Sequence, residues 1–264
     1  MAYAVRAHNT AVDSSNRMHA DDTARTYGFR GGLVPGVDVY AYMTNPLVTA
    51  WGLAWLDRGT MSARFLHPVY DGDEVVVTGA PLVGAVDASL ELRDPTGELC
   101  ASATASLPPV DAERPAVHSV PRGALPSARP RASATSLAPG RVLGSLVAGF
   151  HADRADAYLG DVRERSPLYR DERVAHPGWL LRFANSILVA NVELGPWIHV
   201  SSDVTHHAVV HDGQRVETRA RVIDEYERKG HRFVELDVLL VADGTTSAMR
   251  SHHTAIYEPR RNED

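Results

Sequence analysis

The chain has one cysteine in 264 residues. That excludes an internal disulfide framework and a zinc site built on cysteine pairs. Cys100 stands in the alternating run "GELCASATASL" and is expected to be a small core residue, not a nucleophile. Long apolar runs are also missing. No stretch approaches about 18 apolar residues, and "MAYAVRAHNT" at the start has no apolar signal region. A soluble, cytoplasmic protein is expected. Positive charge is not in excess either: the formal net charge is -6. Nucleic acid and anionic membranes are therefore not expected partners. There is no Gly-rich loop ending in Lys-Ser/Thr and no Gly-x-Ser-x-Gly elbow. "HVSSDVTHH" and "SHHTA" hold five histidines, but neighbours on a strand point to opposite faces. Neither a metal nor a cofactor is expected.

What is present is one pattern written twice. Hydrophobic residues make up 44% of the chain, enough for one large core or two small ones. Residues 108–140, "PPVDAERPAVHSVPRGALPSARPRASATSLAPG", are rich in proline and poor in large apolar residues. Such composition reads as a semi-rigid linker between halves at 1–107 and 141–264. The first half runs "VPG", an apolar helix-like stretch, then "DGDEVVVTG". The second runs "HPG", "WLLRFANSILVANV", then "DGQRVETRARV". Each half closes with two alternating runs around a turn, "DPTGE" or "ADGT". Alternation of Val, Leu, Thr and Ile predicts antiparallel strands.

Each half therefore reads as a loop, one central helix and about four antiparallel strands, an α+β unit. The second helix is apolar on nearly all faces, which predicts burial within its own sheet. In the first half Pro46 is expected to break the helix, with Asn45 capping a second short turn. The bulky residues Tyr40, Tyr42, Met43, Trp51, Trp55 and Trp179 are expected in the core more than in a pocket. Edge strands need covering, so the two sheets are expected to pair, and a further homodimer stays open.

The loop "NRMHADDTARTYGFRGGLVPG" carries more specific information. Asn16, His19, Asp21, Ala24, Gly28, Phe29 and Gly36 resemble, by type and spacing, the pattern of MaoC-like (R)-specific enoyl-thioester hydratases and dehydratases. Together with the doubled architecture, the resemblance implies a double hotdog fold. It implies a hydro-lyase that adds or removes water across the 2,3 bond of an acyl thioester of CoA or acyl carrier protein. The family's catalytic Asp would fall at Ser14, and Pro35 replaces the His that opens the helix. In the second half, "GDVRERSPLYRDERVAHPG" resembles the same pattern. Glu164 falls where the Asp would be, Tyr169 where the His would be, and His176 restores the helix-opening His.

Such chemistry needs a base for water, an acid for the α-carbon and donors for the thioester oxygen. His19 is the candidate acid–base group, oriented by Asn16 or Ser14. Glu164 and Tyr169 are the second pair, and Asp21 belongs to the motif. The helix starts at Gly36 and Val37, or at Gly178, are the candidate oxyanion donors. Two other readings stand beside this one. Asp38, early in the first helix, would suit a hotdog thioesterase. The missing Asp would suit a non-catalytic hotdog that binds an acyl or polyketide-like ligand or a partner subunit.

Overall fold

A computed structural model describes residues 2–109 and 113–260; residues 110–112, within the expected linker, lie outside it. The first half comprises β1 (Tyr3–Arg6), a 3-10 turn (Arg17–His19), α1 (Asp21–Thr26), α2 (Gly36–Trp51), α3 (Leu53–Arg58), β2 (Thr60–Phe65), β3 (Glu74–Thr78), β4 (Asp87–Arg93) and β5 (Leu99–Ser106). The second comprises β6 (Val142–Gly149), α4 (Ala152–Asp161), α5 (Leu168–Asp171), α6 (Pro177–Asn191), β7 (Ile198–His206), β8 (Arg215–Arg228), β9 (His231–Ala242) and β10 (Thr246–Glu258). Among the described residues each half thus has five strands, one more than the sequence pattern suggested. The extra strand precedes the loop; β1 is only four residues long and carries little periodicity to read.

The strands form one sheet in the order β1-β3-β4-β5-β2-β7-β10-β9-β8-β6. The order reads outward identically from its centre, so the fold is a repeat joined edge to edge. The joint is the antiparallel pairing of β2 with β7, with Ser62 opposite Asp203. Local turns repeat as well. Gly72 and Gly213 take φ of 81° and 82°, a left-handed conformation that favours glycine. Each donates its N–H back to the end of the first strand of its half, to Ala7 and Phe150 respectively.

Helices α2 and α6 lie side by side, with the sheet curled around them. Both are buried on most faces, as the all-round apolar pattern of α6 demands. Their contact contains one charged device. Asp38 is fully buried, and Arg182 donates from Nε (3.1 Å) and Nη2 (2.8 Å) to its Oδ1. The Thr10 hydroxyl donates to its Oδ2 at 2.6 Å. The pair ties the two halves together by side chains, as β2 and β7 do by backbone.

Pro46 does not break α2. The helix runs through it to Trp51 and ends at Gly52, whose φ of 58° turns the chain into α3. A proline costs a ladder bond, but packing on both sides holds this segment helical. Asn45 is not a cap; its Nδ2 donates to Glu164 Oε1 at 2.8 Å across the molecule. The described part of the proline-rich segment lies on the outer face of the second half of the sheet. Val120 is buried there against Leu239 and Val241. The Ser247 hydroxyl donates to Pro115 O at 2.7 Å, and Arg122 pairs with Glu217. That cover explains why "DVLLVA" in β9 is apolar without alternation: it is buried on both faces.

Tyr40, Tyr42, Met43 and Trp55 are core residues. No helix among the described residues is long and apolar enough to cross a membrane. Replacing Arg182 with Met should strand the buried Asp38 carboxylate and cost about 3 to 5 kcal/mol. Urea unfolding measures this directly; a loss under about 1 kcal/mol would show that the pair does not hold the halves together.

Candidate active site

The loop before α2 is held by backbone-directed side chains. Asn16 is buried and makes four contacts. Its Oδ1 accepts from Met18 N (3.2 Å) and Trp197 N (3.1 Å). Its Nδ2 donates to Trp197 O at 2.9 Å and lies 3.1 Å from His19 Nε2. Trp197 immediately precedes β7, so the first half's loop is fastened to the second half. Because Nδ2 can only donate, His19 Nε2 is the acceptor. His19 Nδ1 lies 2.7 Å from Leu33 O, which can only accept. Both contacts therefore select the neutral imidazole protonated at Nδ1. Burial pushes the His19 pKa below the ordinary histidine value, partly offset by the Leu33 carbonyl.

His19 lines a cavity of about 250 Å³. Asn16, Phe29, Gly36, Phe65, Trp197 and Ile256 contribute to its mostly apolar wall. Gly36 opens α2 on this wall, and its N–H precedes the helix's own bonding ladder. Val37 is buried beside it but is not a wall residue. Gly36 also has to be small, since a Cβ there would sit 2.8 Å from His199 Nδ1. Cys100 is buried in the same wall, and burial raises its thiol pKa to about 11, so it stays protonated.

The remaining motif residues lie elsewhere. The Ser14 hydroxyl donates to Asn16 O at 3.3 Å and does not reach the cavity wall. Asp21 Oδ1 accepts from Gly32 N at 2.8 Å and Oδ2 pairs with Arg25, so it shapes the turn before α2. Among the described residues no carboxylate belongs to the cavity wall. Asp38, the thioesterase candidate, is turned into the helix contact with Arg182 and is not a wall residue.

The second half is built on the same plan with a smaller cavity, about 110 Å³, at its helix start. Val34 N bonds to Val69 O, and Ala175 N bonds to Val210 O, which makes these segments equivalent. Pro177 is then the counterpart of Gly36, and it has no N–H to give. Gly178, paired with Gly36 on sequence, lies one residue further in. Its N–H is already donated to His176 Nδ1 at 3.0 Å. A Cβ on Gly178 would meet Tyr158 Oη at 2.4 Å and Ala41 Cβ at 2.7 Å, so the backbone here is tightly packed. Tyr169 O accepts from Val174 N as Met18 O accepts from Leu33 N. Tyr169 thus occupies the place of Met18, one residue away from that of His19, and is buried against the His176 ring.

Glu164 is buried beneath this cluster. Its Oε1 accepts from Asn45 and from Ser166 N (2.7 Å), and its Oε2 lies 3.5 Å from His176 Nε2. That last separation is electrostatic contact, too long for a good hydrogen bond. Burial alone would raise the Glu164 pKa, but the His176, Ser166 and Asn45 contacts outweigh it and hold the carboxyl low. Glu164, Tyr169 and His176 are thus gathered in one place; Glu164 and Tyr169 are packed, while His176 lines a small cavity of about 110 Å³ with Tyr158 and Trp179.

Sequence reasoning missed several wall residues of the first cavity, among them Asn185 on α6 and His199 on β7. Each lies more than a hundred residues from the motif, and no local pattern marks either. Among the described residues no three His, Cys, Asp or Glu side chains converge to hold a metal ion.

The architecture is that of a double hotdog protein. It superimposes over 97% of this chain and 98% of the other on a MaoC-like dehydratase, with TM-score 0.64 and 13% identity. A conserved hypothetical protein of Mycobacterium tuberculosis with a double hotdog fold aligns over 97% and 95%, with TM-score 0.62 and 15% identity. A protein from Novosphingobium aromaticivorans assigned as a thioesterase aligns over 97% and 95%, with TM-score 0.58 and 11% identity. At such identities the likeness is one of fold. No family sequence model matches the chain, and no curated protein matches it in sequence.

Buried histidines set the acid stability. Burial, chiefly, lowers the pKa of His206 and of His253 to about 3. Unfolded, each titrates near about 6.5. Between these values the unfolded chain binds protons that the folded chain refuses. Their contribution is complete above pH about 6.5 and is lost as pH falls toward 3. The Tm should therefore drop steadily from pH 7 to pH 5, and His206→Gln should flatten that slope. An unchanged slope in the variant would show that His206 is not a source of the acid sensitivity.

Proposed function

We propose that the protein is a hydro-lyase on an acyl thioester of CoA or acyl carrier protein, adding or removing water across the 2,3 bond. The observation that carries the reading is the neutral His19 held in an apolar cavity beside the free helix start at Gly36. The dehydratase among the solved structures of this fold is compatible with it. An apolar wall suits an acyl chain, and the wall needs no cofactor for this reaction.

In the hydration direction, the Gly36 N–H and the positive end of α2 hold the thioester oxygen. His19 Nε2 exchanges its Asn16 contact for water and takes one proton as the water oxygen bonds to C3. Electrons move from the 2,3 double bond into the enolate. The imidazolium then returns that proton to C2 as the carbonyl re-forms. Asn16 and the Leu33 carbonyl keep the ring in the required tautomer. A lowered His19 pKa makes a weaker base but a stronger acid, which favours the second step.

Purified protein incubated with crotonyl-CoA and longer enoyl-CoAs should consume the conjugated enoyl absorbance. His19→Ala should slow this by about 10²- to 10⁴-fold. The acid limb of kcat/KM should lie below the ordinary histidine value, because the neutral imidazole persists to lower pH. A folded protein that turns over no enoyl thioester, yet is thermally stabilised by one, would replace the enzyme reading with a ligand-binding role.

A further inference from the structure

The cavity of the second half, about 110 Å³, lies between α4 and the start of α6, and the hydro-lyase chemistry makes no use of it. Its inner wall is ring and carbon. Phe150, Tyr158, Leu159 and Val174 are buried there, and Trp179 packs edge-on against Phe150 with ring centres 5.2 Å apart. Two side chains of this wall carry polar atoms, and both atoms are turned away from the cavity. The Tyr158 hydroxyl lies 2.4 Å from where a Gly178 Cβ would sit, and His176 Nε2 is directed at Glu164. Neither atom exposes surface. The body of a ligand held here is therefore apolar.

The rim is different. His151 and Arg154, both exposed, bring polar groups to it. Arg154 stands in the first turn of α4, where the helix dipole disfavours a cation. The carboxylates around it are committed elsewhere. Asp153 and Asp212 pair with Arg173, and Asp156 pairs with Arg170. Among the described residues Arg154 has no ion pair. An unpaired guanidinium, set against the dipole at the mouth of an apolar cavity, fits an anionic group, and its fork matches a carboxylate. Volume sets the size of the rest. Benzene occupies an engineered apolar cavity of about 150 Å³, so the smaller space here takes a body of about four or five carbons.

We propose that the second cavity binds a small aliphatic carboxylate, with its alkyl body against Tyr158 and Trp179 and its carboxylate on Arg154. The free acid is the ligand class. A thioester or amide of the same acid has no charge to place on Arg154 and is disfavoured. The site is separate from the His19 cavity and does not rest on the hydro-lyase reading. It gives the second half a binding role of its own, for a ligand of opposite character to a neutral thioester.

Calorimetric titration of the full chain at neutral pH with 3-methylbutanoate and with 3-methylbutanamide tests it. The acid should bind at one site per chain, more tightly than the amide by about fivefold or more. Arg154→Gln should bring the acid down to the amide while amide affinity stays within about twofold. Ala155→Leu fills the cavity from α4 with a good helix former. It should abolish binding of both compounds while the circular dichroism of the fold is unchanged. Equal affinity of the wild type for acid and amide would overturn the site. So would acid binding that survives Ala155→Leu, or no binding of the acid at tens of millimolar.

Discussion

The pairing of β2 with β7 is the constraint on which the rest depends. Each half alone would present an open strand edge, and the joint removes one from each. It also fixes the register of the two repeats, because β7 can hydrogen-bond to β2 only with the Trp197–Val200 segment beside the first half's loop. Asn16 then reaches the Trp197 backbone, His19 acquires its partner, and His199 arrives against Gly36. The cavity wall is composite because the sheet is continuous. The Asp38–Arg182 pair holds the enclosed helices in the same relation.

The two halves show what a repeat gains by divergence. The same turns, the same bridges before the central helix and the same strand order persist in both. One helix start keeps glycine and an apolar cavity. The other has Pro177, which lacks an N–H, and a histidine that accepts the next one. Tyr158 and Tyr169 fill much of the volume that is open on the other side. Tyr158 and Tyr169 pack on the His176 ring, Glu164 lies 3.5 Å from its Nε2, and the Glu164 contact with Asn45 joins this half to the helix of the other.

Charge placement explains why the cavity is chemically quiet around its one titratable motif residue. Carboxylates on either side of the loop are engaged elsewhere: Asp21 in the turn at Gly32, Asp22 with Arg17, and Asp38 between the helices. The imidazole is left neutral, its tautomer set by a carbonyl and an amide. Neutral buried histidines elsewhere, His206 and His253 among them, follow the same rule that low-dielectric surroundings disfavour the charged form.

Sequence by itself determined the repeat, the α+β class, the buried central helices and the loop that carries Asn16 and His19. Those are consequences of local periodicity, turn chemistry and residue spacing, which neighbouring residues encode. It misjudged Pro46, where packing outweighed a local preference, and it paired Gly178 with Gly36, where one inserted proline shifts the register. Only the tertiary structure decided which helix start stays open, since that depends on the fit of Tyr158 and Ala41 around Gly178. It alone brought Asn185 and His199 to the cavity of His19. Contacts over more than 150 residues arise from strand pairing and volume filling, and no spacing along the chain records them.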